Sequence, residues 1–372
     1  MCKFVKGREL CRGFFNDVVR PILERYFPDL EYTAGLLGYG SDVLGYDDEV
    51  STDHMWGPRF YLFLRDEGCN IKERLLDVFS SEFPYSYRGY SVNFSSLDPN
   101  DNGIRHAEQI DSGRVNPLIF IYTPDEYFDN YIGAHDFTKL DEIDWLTFSE
   151  HKLLTLKKAE FYVDRLGVGE RLRLLSYYPD AVWLYLLASN WALAAEEQAF
   201  VRRCHDVGDE LGSRLACARI AERLMRLGFL YCREYAPYSK WFGTAFTQLS
   251  LDNDIKTAIS RAVGAVDITE REDNLVAAQQ LLARLHNSLC KQNEFQSSEL
   301  TEPVSDEIVS YFGRKIKVIF ADRIANSIKP LLAQTKLADL PPIGTLSEVA
   351  DFTCLYDNPK YRERLRSLYT EV

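Results

Sequence analysis

The stretch GYGSDVLGYDDEVSTDHMWGPRF, residues 38–60, decides how the amino-terminal part of the chain is read. Gly40-Ser41 sets a residue free to take positive φ beside a hydroxyl. Such a pair suits a tight turn whose backbone amides and side chain hold a phosphate. An ordinary turn uses the same two residues. Context favours the first reading: Gly45 follows Ser41 by four residues and Asp53 by twelve, and the Trp-Gly-Pro break leads into the apolar run RFYLFL at 59–64. In between, Asp47, Asp48 and Glu49 either fold back as ligands or form a solvated acidic loop.

Upstream, Leu10, Phe14, Val18, Ile22 and Tyr26 recur every four residues and predict an amphipathic helix over 7–28, kinked or restarted by Pro21. EYTAGLL at 31–37 and RFYLFL then bracket the motif as strand, Gly-rich turn, strand. Downstream come a helix at 71–83, strands at 90–94 (YSVNF) and 118–122 (LIFIY), and between those strands the polar loop SSLDPNDNG. From about 145 to 292 helical periodicity dominates, with candidate helices at Asp180–Phe200 and Asp206–Tyr235. A loop at 291–303, a late strand at 315–321 and a helix at 322–333 follow. The reading is an α+β chain: residues 1–144 a domain of mixed strands and helices, residues 145–372 a mainly helical domain.

Composition agrees with two domains in 372 residues, 46% of them hydrophobic and 27% charged, as in ordinary soluble globular proteins. No apolar run reaches the roughly 18 residues of a membrane helix, and MCKFVKGREL lacks the apolar core of a secretory signal. The expected location is the cytoplasm, with no membrane partner. A formal charge of −13 argues against a broad, sequence-independent grip on nucleic acid. The eight cysteines show neither CxxC pairs nor zinc-site spacing, so free thiols are expected.

The spacing GSxxxG at Gly40, Ser41 and Gly45, followed by Ser51-Thr52-Asp53, resembles the nucleotidyltransferase superfamily that includes the kanamycin-type enzymes. More closely, GSDVLGYDDEVSTDHMWGPR, YYPDAVWLYLLAS (177–189), VGDELGSR (207–214) and YAPYSKWFGTAF (235–246) resemble a bacterial family of unknown function within it. The resemblance implies a nucleotidyltransferase-like mixed-sheet domain before a helical one. It also implies transfer of a nucleoside monophosphate from a nucleoside triphosphate to a hydroxyl acceptor, on a small molecule, a protein or an RNA end. The acceptor hydroxyl would attack the α-phosphorus and release pyrophosphate, with Mg²⁺ or Mn²⁺ on carboxylates.

Carried onto this chain, the resemblance makes Asp53 the catalytic carboxylate and metal ligand, and places Gly40 and Ser41 on the phosphates. Arg59 is either a phosphate contact or half of a buried ion pair. Lys240, expected in a short connection after a long helix, is either a triphosphate ligand or a surface lysine beside core aromatics. The pattern breaks at Met55: on a regular strand residue 55 shares a face with residue 53, and a thioether does not replace a carboxylate on Mg²⁺. Asp125 and Glu126, just past LIFIY, read as a helix start rather than a third carboxylate. Asp206, Asp209 and Glu210 complement a helix dipole, or one supplies a general base. The alternative to an enzyme is a catalytically degenerate nucleotide-binding or interaction protein of the same fold.

Overall fold

Residues 7–26 wind as α1 (Gly7–Phe14), a π-helical turn (Phe15–Val19) and α2 (Arg20–Tyr26), with Pro21 in the first turn of α2. Proline has no N–H to donate and its ring crowds the carbonyl four residues back, so the widened turn sits where an α-turn fits worst. The extra residue shifts the apolar stripe: Phe15 and Val19 are fully buried, while Val18 and Tyr26, expected on the inner face, are only partly covered.

These helices pack on a four-stranded mixed sheet made of β1 (Tyr32–Leu36), β2 (Arg59–Leu64), β3 (Leu118–Tyr122) and β4 (Glu160–Asp164), in the order β3-β2-β1-β4. β1 pairs antiparallel with β2 and β4, and β2 pairs parallel with β3 through a crossover that contains α3 (Lys72–Glu82). Phe60, Leu62 and Leu64 join Ala34, Ile121, Phe14, Phe15 and Phe79 in the core on one face. Tyr61 and Phe63 point the other way, where Tyr61 stacks on Phe120 at 4.6 Å and Tyr127 of α4 (Pro124–Tyr131) meets both. A strand covered on both faces reads as an unbroken apolar run, as RFYLFL does.

The structure describes residues 4–52, 54–65, 71–101, 103–292, 303–350 and 352–370. In this computed structural model the chain divides into two compact units, Met1–Lys139 with Lys152–Ser176, and Leu140–His151 with Tyr177–Val372. β4 was not expected, because it lies within text dominated by helical periodicity. It is an edge strand of half-buried residues, and a bulge in β1 between Ala34 and Gly35 sets its register. A Cβ at Gly35 would lie 2.4 Å from the Glu160 carbonyl, so glycine permits the pairing. The strand expected at 90–94 shrinks to Tyr90–Ser91, paired in a hairpin with Ser86–Tyr87.

In the second unit, α5 (Asp180–Glu197) packs on α6 (Glu210–Tyr231), and α8 (Asn253–Gly264) packs on α9 (Ile268–Gln292), with α7 (Ser239–Gln248) between those pairs in sequence. Ala216, Cys217, Ile220, Leu224 and Leu227 bury one stripe of α6. The expected late strand reduces to Lys317–Val318, paired with Val309–Ser310. The helix after it runs Asp322–Ile328 and tightens into a 3₁₀ turn at Lys329–Leu332, where Pro330 stands. The fold class is α+β, with no helix among the described residues long and apolar enough to cross a membrane.

Candidate functional site

β1 delivers the chain into the turn Gly38-Tyr39-Gly40-Ser41, and Ser41–Leu44 makes a single helical turn closed by Gly45 in the left-handed conformation. Gly40 has φ 121°, and a Cβ there would lie 2.1 Å from Asp42 Oδ1 and 2.7 Å from Arg59 Nη2. Glycine is therefore required twice over, by backbone angle and by what lies beneath. Beneath is a buried ion pair. Arg59 Nη2 donates to Asp42 Oδ1 at 2.8 Å and Oδ2 at 3.0 Å, Nε donates to Oδ2 at 3.2 Å, and Nη2 also donates to the Tyr39 carbonyl at 2.7 Å. Both side chains are essentially inaccessible, and the guanidinium lies 5.1 Å from the Tyr39 ring centre. Arg59 Nη1 is buried and makes no hydrogen bond within the described residues.

Gly40, Ser41 and Arg59 are thus brought together, Ser41 half-buried at the head of the helical turn. Asp53 lies outside the described residues. β2 begins only at Arg59, and Met55 has φ 47°, so the strand alternation that paired residues 53 and 55 does not extend to Met55. In the acidic loop Asp48 and Glu49 are exposed, as a solvated loop requires, and Asp47 is not. Asp47 is buried and accepts from the Gly7 amide at 2.6 Å and Trp56 Nε1 at 3.1 Å, tying the start of α1 to the loop. Asp48 accepts from the Val50 and Ser51 amides, and the Ser51 contacts pull its pKa down. Among the described residues no group of three or more His, Cys, Asp or Glu side chains is arranged to hold a metal ion. Asp42 and Asp47 are engaged in buried contacts, and the thioether at 55 is no ligand for Mg²⁺ or Mn²⁺.

Asp125 and Glu126 open α4, where Thr123 and Glu126 form a reciprocal capping box, so the helix-start reading holds. Lys240 belongs to the second unit. The connection ends at Tyr238, and Lys240 is exposed in the first turn of α7, 5.2 Å from the Trp241 ring centre. Asp206 closes the helix Phe200–Asp206 rather than opening α6, whose cap is Asp209, accepting from the Gly212 amide. Glu210 pairs with Arg271, which first among its neighbours pulls its pKa to about 2. Cys11, Cys204, Cys217, Cys232 and Cys354 are free, and burial pushes the Cys11 thiol up to about 12.

One charged cluster of the second unit escaped the sequence reading. Glu150 is buried, accepts from the Ala236 amide at 3.0 Å and meets Arg226 at 3.4 Å. Burial, partly countered by Arg226, raises its pKa to about 7. Arg226 also donates to Glu222 at 3.1 Å and lies 3.9 Å from Glu348, itself 3.4 Å from Arg223. The partners are up to 198 positions apart, Glu150 to Glu348, and no local spacing signals them.

Residues 145–242 match the family described as a domain of unknown function, DUF4037. No curated protein matches the chain. Among solved structures, the chain is similar to a nucleotidyltransferase-like protein from Exiguobacterium sibiricum 255-15, at 10% identity over 91% of each chain with a TM-score of 0.33.

Proposed function

We propose that the sheet unit binds a nucleoside triphosphate with its phosphates on the Gly38–Ser41 turn, and transfers the nucleoside monophosphate to a hydroxyl acceptor. The observation that carries this reading is the turn itself. Two positive-φ glycines flank Tyr39, and the Asp42–Arg59 pair fixes the backbone from below without reaching past it. A turn pinned by a buried ion pair suits a phosphate, because its donors need little reordering when the anion arrives. The bond formed joins acceptor oxygen to the α-phosphorus, and pyrophosphate leaves. Asp53 is the residue to which this reading assigns Mg²⁺ or Mn²⁺.

Met55 and the engaged carboxylates Asp42 and Asp47 favour a second reading, a nucleotide-binding protein that keeps the turn and has lost transfer. Calorimetric titration of ATP, GTP, CTP and UTP, with and without Mg²⁺, into the wild type, Asp53→Ala and Ser41→Ala separates the two. Metal-dependent binding abolished in Asp53→Ala supports transfer, with pyrophosphate release against a panel of hydroxyl compounds as the confirming assay. Binding indifferent to metal and to Asp53 supports the second reading. If no nucleotide binds, both readings fail.

A further inference from the structure

A cavity of about 490 Å³ opens in the helical unit, walled by Tyr238, Phe242 and Tyr356 and floored by Glu150, Glu222 and Arg226. Its charge is unbalanced. Its lining sets two carboxylates, Glu150 and Glu222, against one guanidinium, Arg226, with His151 beside them, and the ion pairs run on from Arg226 to Glu348 and Arg223 outside it. Glu348 is spent: it accepts from Asn190 Nδ2 at 2.9 Å and the Thr345 amide at 2.7 Å, besides its arginines. Glu222 is not, because Arg226 uses only its Oε1 and the side chain is 49% exposed. Arg226 is held in place over the Phe242 ring at 5.3 Å, and Tyr238 packs edge-on against His151, 4.7 Å between ring centres.

We propose that this cavity binds a small organic cation, an amine or ammonium compound with an apolar body. Its positive head lies against Glu222 on the oxygen that Arg226 does not use, and its body lies against Tyr238 and Tyr356. Aromatic faces and a carboxylate excess both favour a cation, and a neutral or anionic guest gains from neither. The site stands independently of the nucleotide reading and uses none of its residues.

The groups around Glu150 are His151 on its own helix, Tyr177 and Tyr178 before α5, Arg226 of α6, Tyr235 and the Ala236 amide before α7, and Glu348 of the turn Leu346–Val349. Of the charges, Arg226 favours the carboxylate and Glu348 opposes it, and burial holds the balance close to neutrality. A cation entering the cavity favours the ionised form, so its binding releases a proton from Glu150 and strengthens as the pH rises through about 7.

The test uses the full chain and three probes of one skeleton: 2-phenylethylamine, which stays protonated near neutrality, its neutral counterpart 2-phenylethanol, and anionic phenylacetate. Titration calorimetry between about pH 6 and pH 8 should show the amine binding roughly ten-fold or more tighter than either counterpart, and tighter at the higher pH. Glu222→Gln should weaken the amine several-fold while keeping the pH dependence. Glu150→Gln should weaken it and flatten that dependence. Because Glu150 is buried, Glu222→Gln and the probe comparison in the wild type decide the matter if Glu150→Gln fails to fold. The proposal is overturned if the alcohol or phenylacetate binds as well as the amine, if Glu222→Gln leaves amine affinity unchanged, or if no amine binds at roughly 10 mM.

Discussion

At Gly40 one missing Cβ lets a backbone turn lie directly on a buried ion pair. Gly40→Ala adds a side chain at φ 121° and drives it into Asp42 and Arg59, so a loss of about 2 kcal/mol or more is expected in urea unfolding. Asp42→Asn tests the pair from below. It leaves Arg59 buried with its charge uncompensated, and removing one partner of such a pair costs about 3–5 kcal/mol. Ser41→Ala removes a hydroxyl at a half-buried position and should change stability little, so any loss of nucleotide affinity in that variant reports on binding rather than folding. If Asp42→Asn unfolds at the wild-type midpoint, the ion pair is not what holds the turn.

Among the elements, those that declared themselves in the sequence are the ones whose cause is local or two-sided. RFYLFL reads as a strand because both faces of the sheet are covered there, LIFIY because it is a short unbroken apolar run, and Asp125-Glu126 reads as a helix start because acids in the first turn before an apolar run are a local signal. β4 did not, since an edge strand of half-buried residues carries no strong period and depends on the bulge at Gly35, far away in sequence. The turn at Gly40-Ser41 was legible. Arg59 as half of a buried ion pair was legible too, but its partner was not, because Asp42 is one of several acids in the stretch and nothing local selects it. Neither was the π-turn, which shifts a regular four-residue pattern by one. That shift is testable: Phe15→Ala should cost about 3–5 kcal/mol, and Val18→Ala about 1 kcal/mol or less. Equal costs at the two positions would mean that the helix keeps a plain α-register in solution.

Across the whole molecule, net acidity says little about stability, whereas two buried titrating groups in the helical unit say where stability changes with pH. Burial raises Glu150 from 4.5 to about 7 and lowers His286, beside Tyr231, from 6.5 to about 4. For Glu150 the folded state holds a proton that the unfolded state has lost, so its contribution is full below about pH 4.5 and disappears as the pH rises through 7. For His286 the unfolded state holds the extra proton, so its contribution is full above about pH 6.5 and disappears as the pH falls toward 4. Between about pH 4.5 and 6.5 the two slopes oppose, and together they give a plateau that falls away on both sides. Glu150→Gln removes one slope. Relative to wild type, its unfolding free energy should climb by about 1.4 kcal/mol per pH unit between about pH 4.5 and 7 and level off above. Urea unfolding of both proteins, followed at several pH values by a probe that reports the helical unit, measures that difference directly, because every other titrating group cancels. A difference that stays flat across the interval would mean that Glu150 ionises in the folded protein as it does in the unfolded chain, with Arg226 fully offsetting its burial.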